Sequence, residues 1–230
     1  NGTFLEVASG LVEGAVPHFT QFDDLLIFAN DAVADVPRSF DGTTWQNLAG
    51  SPPNFAFSVK HKNWHFAAGV DAAPSTLYYS GQLDPESWTG GTSGSISIDP
   101  NDGDRITGMI SHRNELFVFK GPYKGSIHRI TGTAEASWAR TTFIIGIGCI
   151  AHNTIFRFGD DLGFVSQYGS IHSLSATSAY GDFFEAALSR PINSWIRDHL
   201  NYNRLRYIGT ATDPLRGVVY ITMSIDANST

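Results

Sequence analysis

Cysteine, lysine and long apolar runs are all scarce in this sequence, and each scarcity excludes something. One cysteine in 230 residues, Cys149, permits no disulfide within the chain, so the fold does not depend on oxidation. It sits in Phe143-Ile144-Ile145-Gly146-Ile147-Gly148-Cys149-Ile150, an apolar string where an inert buried thiol is expected rather than a nucleophile. No apolar run reaches the roughly 18–20 residues of a membrane span, and no signal-peptide pattern opens the chain, so no membrane partner is expected. With four lysines, a net charge of −7 and no run of Lys or Arg, neither a phosphate-binding groove nor sequence-specific nucleic-acid recognition is expected.

Motifs for chemistry are equally thin. No Gly-x-Ser-x-Gly elbow occurs, and the visible acids sit in turns: Asp23-Asp24, Asp41, Asp84, Asp102, Asp104 and Asp160-Asp161. His61 and His65 have the spacing of two ligands on one helix face, but they straddle the turn Lys62-Asn63 between strands, where that geometry fails. Asp99 to Asp104 has the look of a calcium loop. Counted from Asp99, however, the EF-hand Gly and Glu positions hold Asp104 and Ile110. Gly146-Ile147-Gly148-Cys149-Ile150-Ala151 matches a dinucleotide fingerprint, yet the adjoining segment, His152 to Gly159, alternates like a strand and is no helix start. The expectation is no catalytic residue, no metal and no cofactor.

What the chain does have is Gly at 23 positions and 13% aromatics, a composition of turns and aromatic-rich strands. The stretch Asp104–Gly132 holds one full copy of its organising pattern. A polar hairpin, Ser111-His112-Arg113-Asn114, leads into Leu116-Phe117-Val118-Phe119, apolar at every position as in a strand covered on both faces. Lys120-Gly121-Pro122 stops it, and Ser126–Ile130 returns to Thr131-Gly132. Similar apolar runs start at Leu25, Trp64, Leu162 and Val218. The five starts are separated by 39, 52, 46 and 56 residues, near the roughly 40–50 of a four-stranded propeller blade.

In the first three units a tryptophan follows the apolar strand by 20, 24 and 22 residues: Trp45, Trp88 and Trp138. These are predicted to be repeated packing aromatics. The sequence therefore predicts an all-β fold: a β-propeller of about five blade-like units, part of a larger ring, spanning 1–230 as one domain cut from a longer chain. Phe4-Leu5-Glu6-Val7 is read as an outer strand of a blade whose remainder is missing. One helical insertion is predicted, about residues 183–200, where Phe184, Ala187, Leu188, Ile192, Trp195, Ile196 and Leu200 recur at spacings of three and four; Pro191 divides it.

Ser39-Phe40-Asp41-Gly42-Thr43-Thr44-Trp45 resembles the aspartate box of sialidase propellers, one residue short between its Asp and its Gly; the box has a structural role there. A broader resemblance covers about residues 22–200. Leu25 to Asn30, Phe40 to Trp45, Leu77 to Ser80 with Asp84 to Trp88, Asp102 to Gly108, Leu116 to Lys120, and Asp161 to Val165 with Gly169 to Ile171 are similar to the β-propeller structural proteins of tailed bacteriophages.

That resemblance implies a nozzle, hub or head-to-tail adaptor component without enzymatic activity. Such a protein is made in the host cytoplasm and built into the virion tail as identical copies in a ring beside neighbouring tail or adaptor proteins. The predicted subunit interface is the helical insertion, with Phe184, Leu188, Trp195, Ile196 and Leu200. The alternative expectation is a carbohydrate-binding or sialidase-like propeller acting on host-surface glycan.

Overall fold

The computed structural model describes Glu6 and residues 9–180 and 187–225, and the chain divides into two compact units, Asn1–Ser97 and Ile98–Thr230. The Phe4 to Val7 strand expected from the sequence lies outside the described residues, apart from Glu6.

The first unit consists of two four-stranded antiparallel meanders. β1 (Pro17–Phe22), β2 (Leu25–Asn30), β3 (Arg38–Phe40) and β4 (Trp45–Asn47) pair in chain order, as do β5 (Phe57–His61), β6 (Trp64–Ala68), β7 (Thr76–Tyr79) and β8 (Gly94–Ser97). Tight turns set the registers. Asp23, in the left-handed region, lets Phe22 face Leu25, and Lys62, also left-handed, lets His61 face Trp64. At the β3–β4 turn the Asp41 carboxylate accepts from the backbone N–H of Thr43 (2.8 Å) and Thr44 (2.7 Å) while Gly42 takes positive φ. Those two bonds hold the exposed Asp41 carboxyl below the usual carboxylate range.

In the second unit, β9 (Arg105–His112), β10 (Glu115–Gly121), β11 (Ser126–Thr131) and β12 (Ala139–Ile145) make a third four-stranded meander. β13 (Ile155–Phe158), β14 (Asp161–Val165) and β15 (Ile171–Ser173) make a three-stranded one. Two short helices come next, α1 (Leu174–Tyr180) and α2 (Asn193–His199), then the hairpin of β16 (Gly209–Asp213) and β17 (Val218–Thr222). The fold is thus all-β with few helices.

Four of the five apolar runs, β2, β6, β10 and β14, are second strands of their sheets and have a strand on either side. Neighbouring strands satisfy their edges, and successive residues along each are buried, so both faces are covered as well and polar alternation would bury unpaired groups. The fifth run differs from the sequence expectation. Among the described residues β17 pairs only with β16, and Val218, Tyr220 and Thr222 are exposed, so the described residues form four blade-like sheets rather than about five. Val219 and Ile221 alone point to cover, and the apolar run reflects strand propensity more than burial.

The core of the first unit joins Phe22, Ile27, Ala29, Leu48, Phe55, Ala67 and Trp88; that of the second joins Phe117, Phe119, Ile127, Ile147, Cys149, Leu162, Phe164 and Leu174. Gly163 on β14 is needed for close packing, because a Cβ there would come within 2.2 Å of the Phe156 ring.

The three repeat tryptophans all fall near the fourth strand of their sheets, but their surroundings differ. Trp45 opens β4 against Phe28 and Phe40 and is half-buried, as is Trp138 just before β12. Trp88, between β7 and β8, is buried against Phe55 and His65, with ring centroids 5.6 and 5.2 Å away. Their shared chain position is a repeat of topology, and only Trp88 is a core residue.

Candidate functional site

Each chemically suggestive stretch has a local structural account. His61 ends β5 and His65 is the second residue of β6, on either side of the Lys62-Asn63 turn, and both are buried. His65 packs among Phe22, Phe55 and Trp88; burial pushes its pKa down to about 3, against the opposing pull of the Pro85 carbonyl. Burial also lowers His61 to about 4, helped by the neighbouring Lys62 charge. These rings are neutral aromatic packing groups. Among the described residues no three His, Cys, Asp or Glu side chains come together as a metal-ligand set.

The Asp99–Asp104 loop does surround a positive charge, but that charge belongs to the protein. The fully buried Lys120 ammonium donates to the carbonyls of Ile98 and Asp99 and to Asp102 Oδ2, each at 2.8 Å. Asp104, at the loop's end, accepts from the backbone N–H of Tyr123 (2.7 Å), Lys124 (3.0 Å) and Gly125 (2.8 Å), fixing the β10–β11 turn. Asp99 pairs with Arg140 and lies 3.6 Å from the buried His128. The Arg140 hydrogen bond holds the Asp99 carboxyl below its ordinary value, while burial lowers His128. From the sequence Lys120 reads as a strand terminator, and its clamping role escapes notice; the sign of a charge 18 residues from its partner leaves no local mark.

Gly146 to Ala151 hands over to a 3-10 turn, His152–Thr154, and to β13, so no helix N-terminus faces the glycines. Gly148 is needed for close packing: its N–H donates to Gln167 Oε1 at 2.9 Å, and a Cβ would strike the Lys120 carbonyl. Cys149 is buried under Thr107, and burial pushes its thiol up to about 12.

What remains is a surface. Residues 187–189 bridge to β15: Ala187 pairs with His172, Leu188 N–H donates to the Ile171 carbonyl, and Ile171 N–H donates to Ser189 Oγ. Ser189 Oγ in turn donates to Asn193, and Pro191 sits inside the 3-10 turn Arg190–Ile192 that precedes α2. The predicted interface residues then separate by role. Ile196 and Leu200, 4% and 6% exposed, join Val165 and Ile208 in a second core cluster; they anchor the helix and are not available to a partner. Leu188 and Trp195, 51% and 50% exposed, face outward together with Ile192. Phe184 lies outside the described residues. The helix is shorter than the predicted span, because residues 187–192 are taken up by the bridge and the 3-10 turn.

No protein-family model matches this chain, and no curated protein matches it. Trp195 and His199 stack at 4.7 Å with an interplanar angle of 16°, and His199 Nδ1 lies 2.8 Å from the Trp195 carbonyl oxygen. After α2 the 3-10 stretch Tyr202–Tyr207 exposes both its tyrosines. Arg204 and Arg206 lie over the Tyr207 ring at 5.4 and 4.7 Å, and Arg206 also donates to the Tyr207 hydroxyl. Such a surface offers apolar and guanidinium groups to its surroundings.

Proposed function

We propose that this chain is a structural β-propeller module of a tailed-bacteriophage tail, of the nozzle, hub or adaptor kind, made in the host cytoplasm and incorporated in identical copies around the tail axis. The phage assignment rests on the sequence resemblance over about residues 22–200. The observation that carries the non-catalytic, building-block part is the use of the interior charges: Lys120 clamps a loop, Asp104 caps a turn, and His65 packs as a ring. The exposed Leu188, Ile192 and Trp195 supply an apolar surface suited to a protein neighbour in such an assembly. Within this reading the four blade-like sheets belong to a propeller, alone or as part of a larger ring.

The test is a reconstruction and protein inventory of virions of the phage that encodes the chain. Several copies per particle on the tail axis are expected. Absence from washed virions overturns the reading, and turnover of a host glycan panel by the pure protein replaces it with the carbohydrate-active one.

A further inference from the structure

The distribution of charge along the chain is uneven in a way that the tail-module reading does not require. Residues 190–216 hold five arginines, Arg190, Arg197, Arg204, Arg206 and Arg216, against two aspartates, a net of +3 in a protein of net −7. All five arginines are exposed. Residues 1–97 carry ten acids and three bases, a net of −7, with Glu13, Asp24, Asp41 and Asp84 among the exposed acids. The basic stretch is also where Trp195, Tyr202 and Tyr207 are exposed. Trp, Tyr and Arg are the three residue types that dominate binding energy at protein interfaces.

The side chains on this face are already held. Trp195 is stacked on His199, and the Tyr207 ring is in contact with both Arg204 and Arg206. Side chains ordered before binding lose less entropy when a partner arrives. Gly169 ties the segment down, since a Cβ there would meet Leu200 and Ile196 and reach Tyr202 Oη at 4.0 Å. The face is therefore supported from beneath by the β14–β15 turn.

We infer that this basic aromatic face is one half of a head-to-tail contact, and that its occupant is the acidic surface of a second copy of the chain. The inference rests on the proposed assembly of identical copies and adds the chemistry and polarity of their contact. Charge complementarity selects the occupant: the face is positive and most of the rest of the molecule is negative. The same charge rules out a symmetric dimer through this face, because two copies related by a two-fold axis would bring arginines against arginines. Two different patches must meet, and such a contact propagates into a ring or a filament.

The experiment is sedimentation velocity of the full chain over a concentration series, in about 50 mM and about 500 mM NaCl, where the screening length falls severalfold. Self-association is expected at low salt and should weaken at least tenfold at high salt. Arg204→Glu with Arg206→Glu, and separately Trp195→Ala, should leave folded monomers, folding being checked by circular dichroism; Arg197→Glu is the second charge variant if the first pair is unstable. Added to wild type in equal amount, the Arg204→Glu/Arg206→Glu protein should cap growing assemblies, since its acidic surface still binds one neighbour. A monomer at every concentration, association indifferent to salt, or a dimer that goes no further overturns the inference. So does a single-stranded oligonucleotide that binds through the same arginines while the protein stays monomeric. Virions holding the chain in several copies, beside a pure protein that fails these tests, would leave the tail reading standing and remove only this contact; self-association by a chain absent from virions would do the reverse.

Discussion

Lys120 Nζ lies 2.8 Å from Asp102 Oδ2, with the lysine side chain fully buried and the aspartate about a quarter exposed. The ammonium fills the centre of a loop whose acidic composition, though not its spacing, has the look of a calcium site, and two backbone carbonyls complete its cover. Replacing Lys120 with Met keeps the aliphatic stem and removes the charge, leaving those oxygens unsatisfied. Lys120→Met should cost about 3–5 kcal/mol and Asp102→Asn clearly less, because the carbonyl bonds survive the second change. Urea melts of both variants measure this, and wild-type stability of Lys120→Met would show that the clamp contributes nothing.

Stability should fall on acidification below about pH 6.5. His61, His65 and His172 are buried, with folded-state values of about 4, about 3 and about 4, while the unfolded chain takes up protons near 6.5. Between those values the unfolded state binds more protons, so the contribution of each ring is complete above about 6.5 and is lost as pH falls towards 3–4. For the fully buried His65 the loss by about pH 4.5 is about 2–3 kcal/mol. Melts across that range test it, and His65→Phe should flatten the slope.

Among the repeat tryptophans, Trp88→Ala should cost about 3–5 kcal/mol and Trp45→Ala or Trp138→Ala roughly half as much, following their burial. Equal losses at all three positions would contradict the difference in their surroundings.

Cys149 should resist iodoacetamide in the folded protein at about pH 8, since the thiolate is scarce and the sulfur is buried. Modification should become complete in denaturant. Rapid labelling of the native protein would mean that the Thr107 to Cys149 packing opens readily.

The sheets are legible in the sequence where both faces of a strand are buried. β2, β6, β10 and β14 are apolar along most of their length, with polar residues at few positions, and no alternating or helical pattern competes with that signal. β1 is not legible, because Pro17-His18-Phe19-Thr20-Gln21-Phe22 buries only its last residue fully, with half-burial at alternate positions before it. α1 is hidden for a different reason. Leu174-Ser175-Ala176-Thr177-Ser178-Ala179-Tyr180 has weak helix propensity and no apolar stripe, and its first turn is held by contacts from β14 and β15: Asp161 Oδ1 accepts from Ser175 N–H and Ser173 Oγ accepts from Ala176 N–H. On the candidate surface, the three-and-four spacing identifies the anchoring Ile196 and Leu200 together with the outward Trp195, because half the period of a short helix cannot say which edge of the stripe meets the core. Arginines stacked on a tyrosine one or three positions away carry no periodicity at all, and only folding reveals them.

The grip of Asp104 on the β10–β11 turn makes that turn a reporter. The amides of Tyr123, Lys124 and Gly125 all donate to one carboxylate 19–21 residues earlier in the chain. Deuterium enters at these three positions only when that carboxylate lets go, so they should exchange together, at one rate, although they are consecutive residues of a surface turn. Their common rate times the opening of the strap from Asp99 to Asp104, a clock for the edge of the sheet that can be read without disturbing its core.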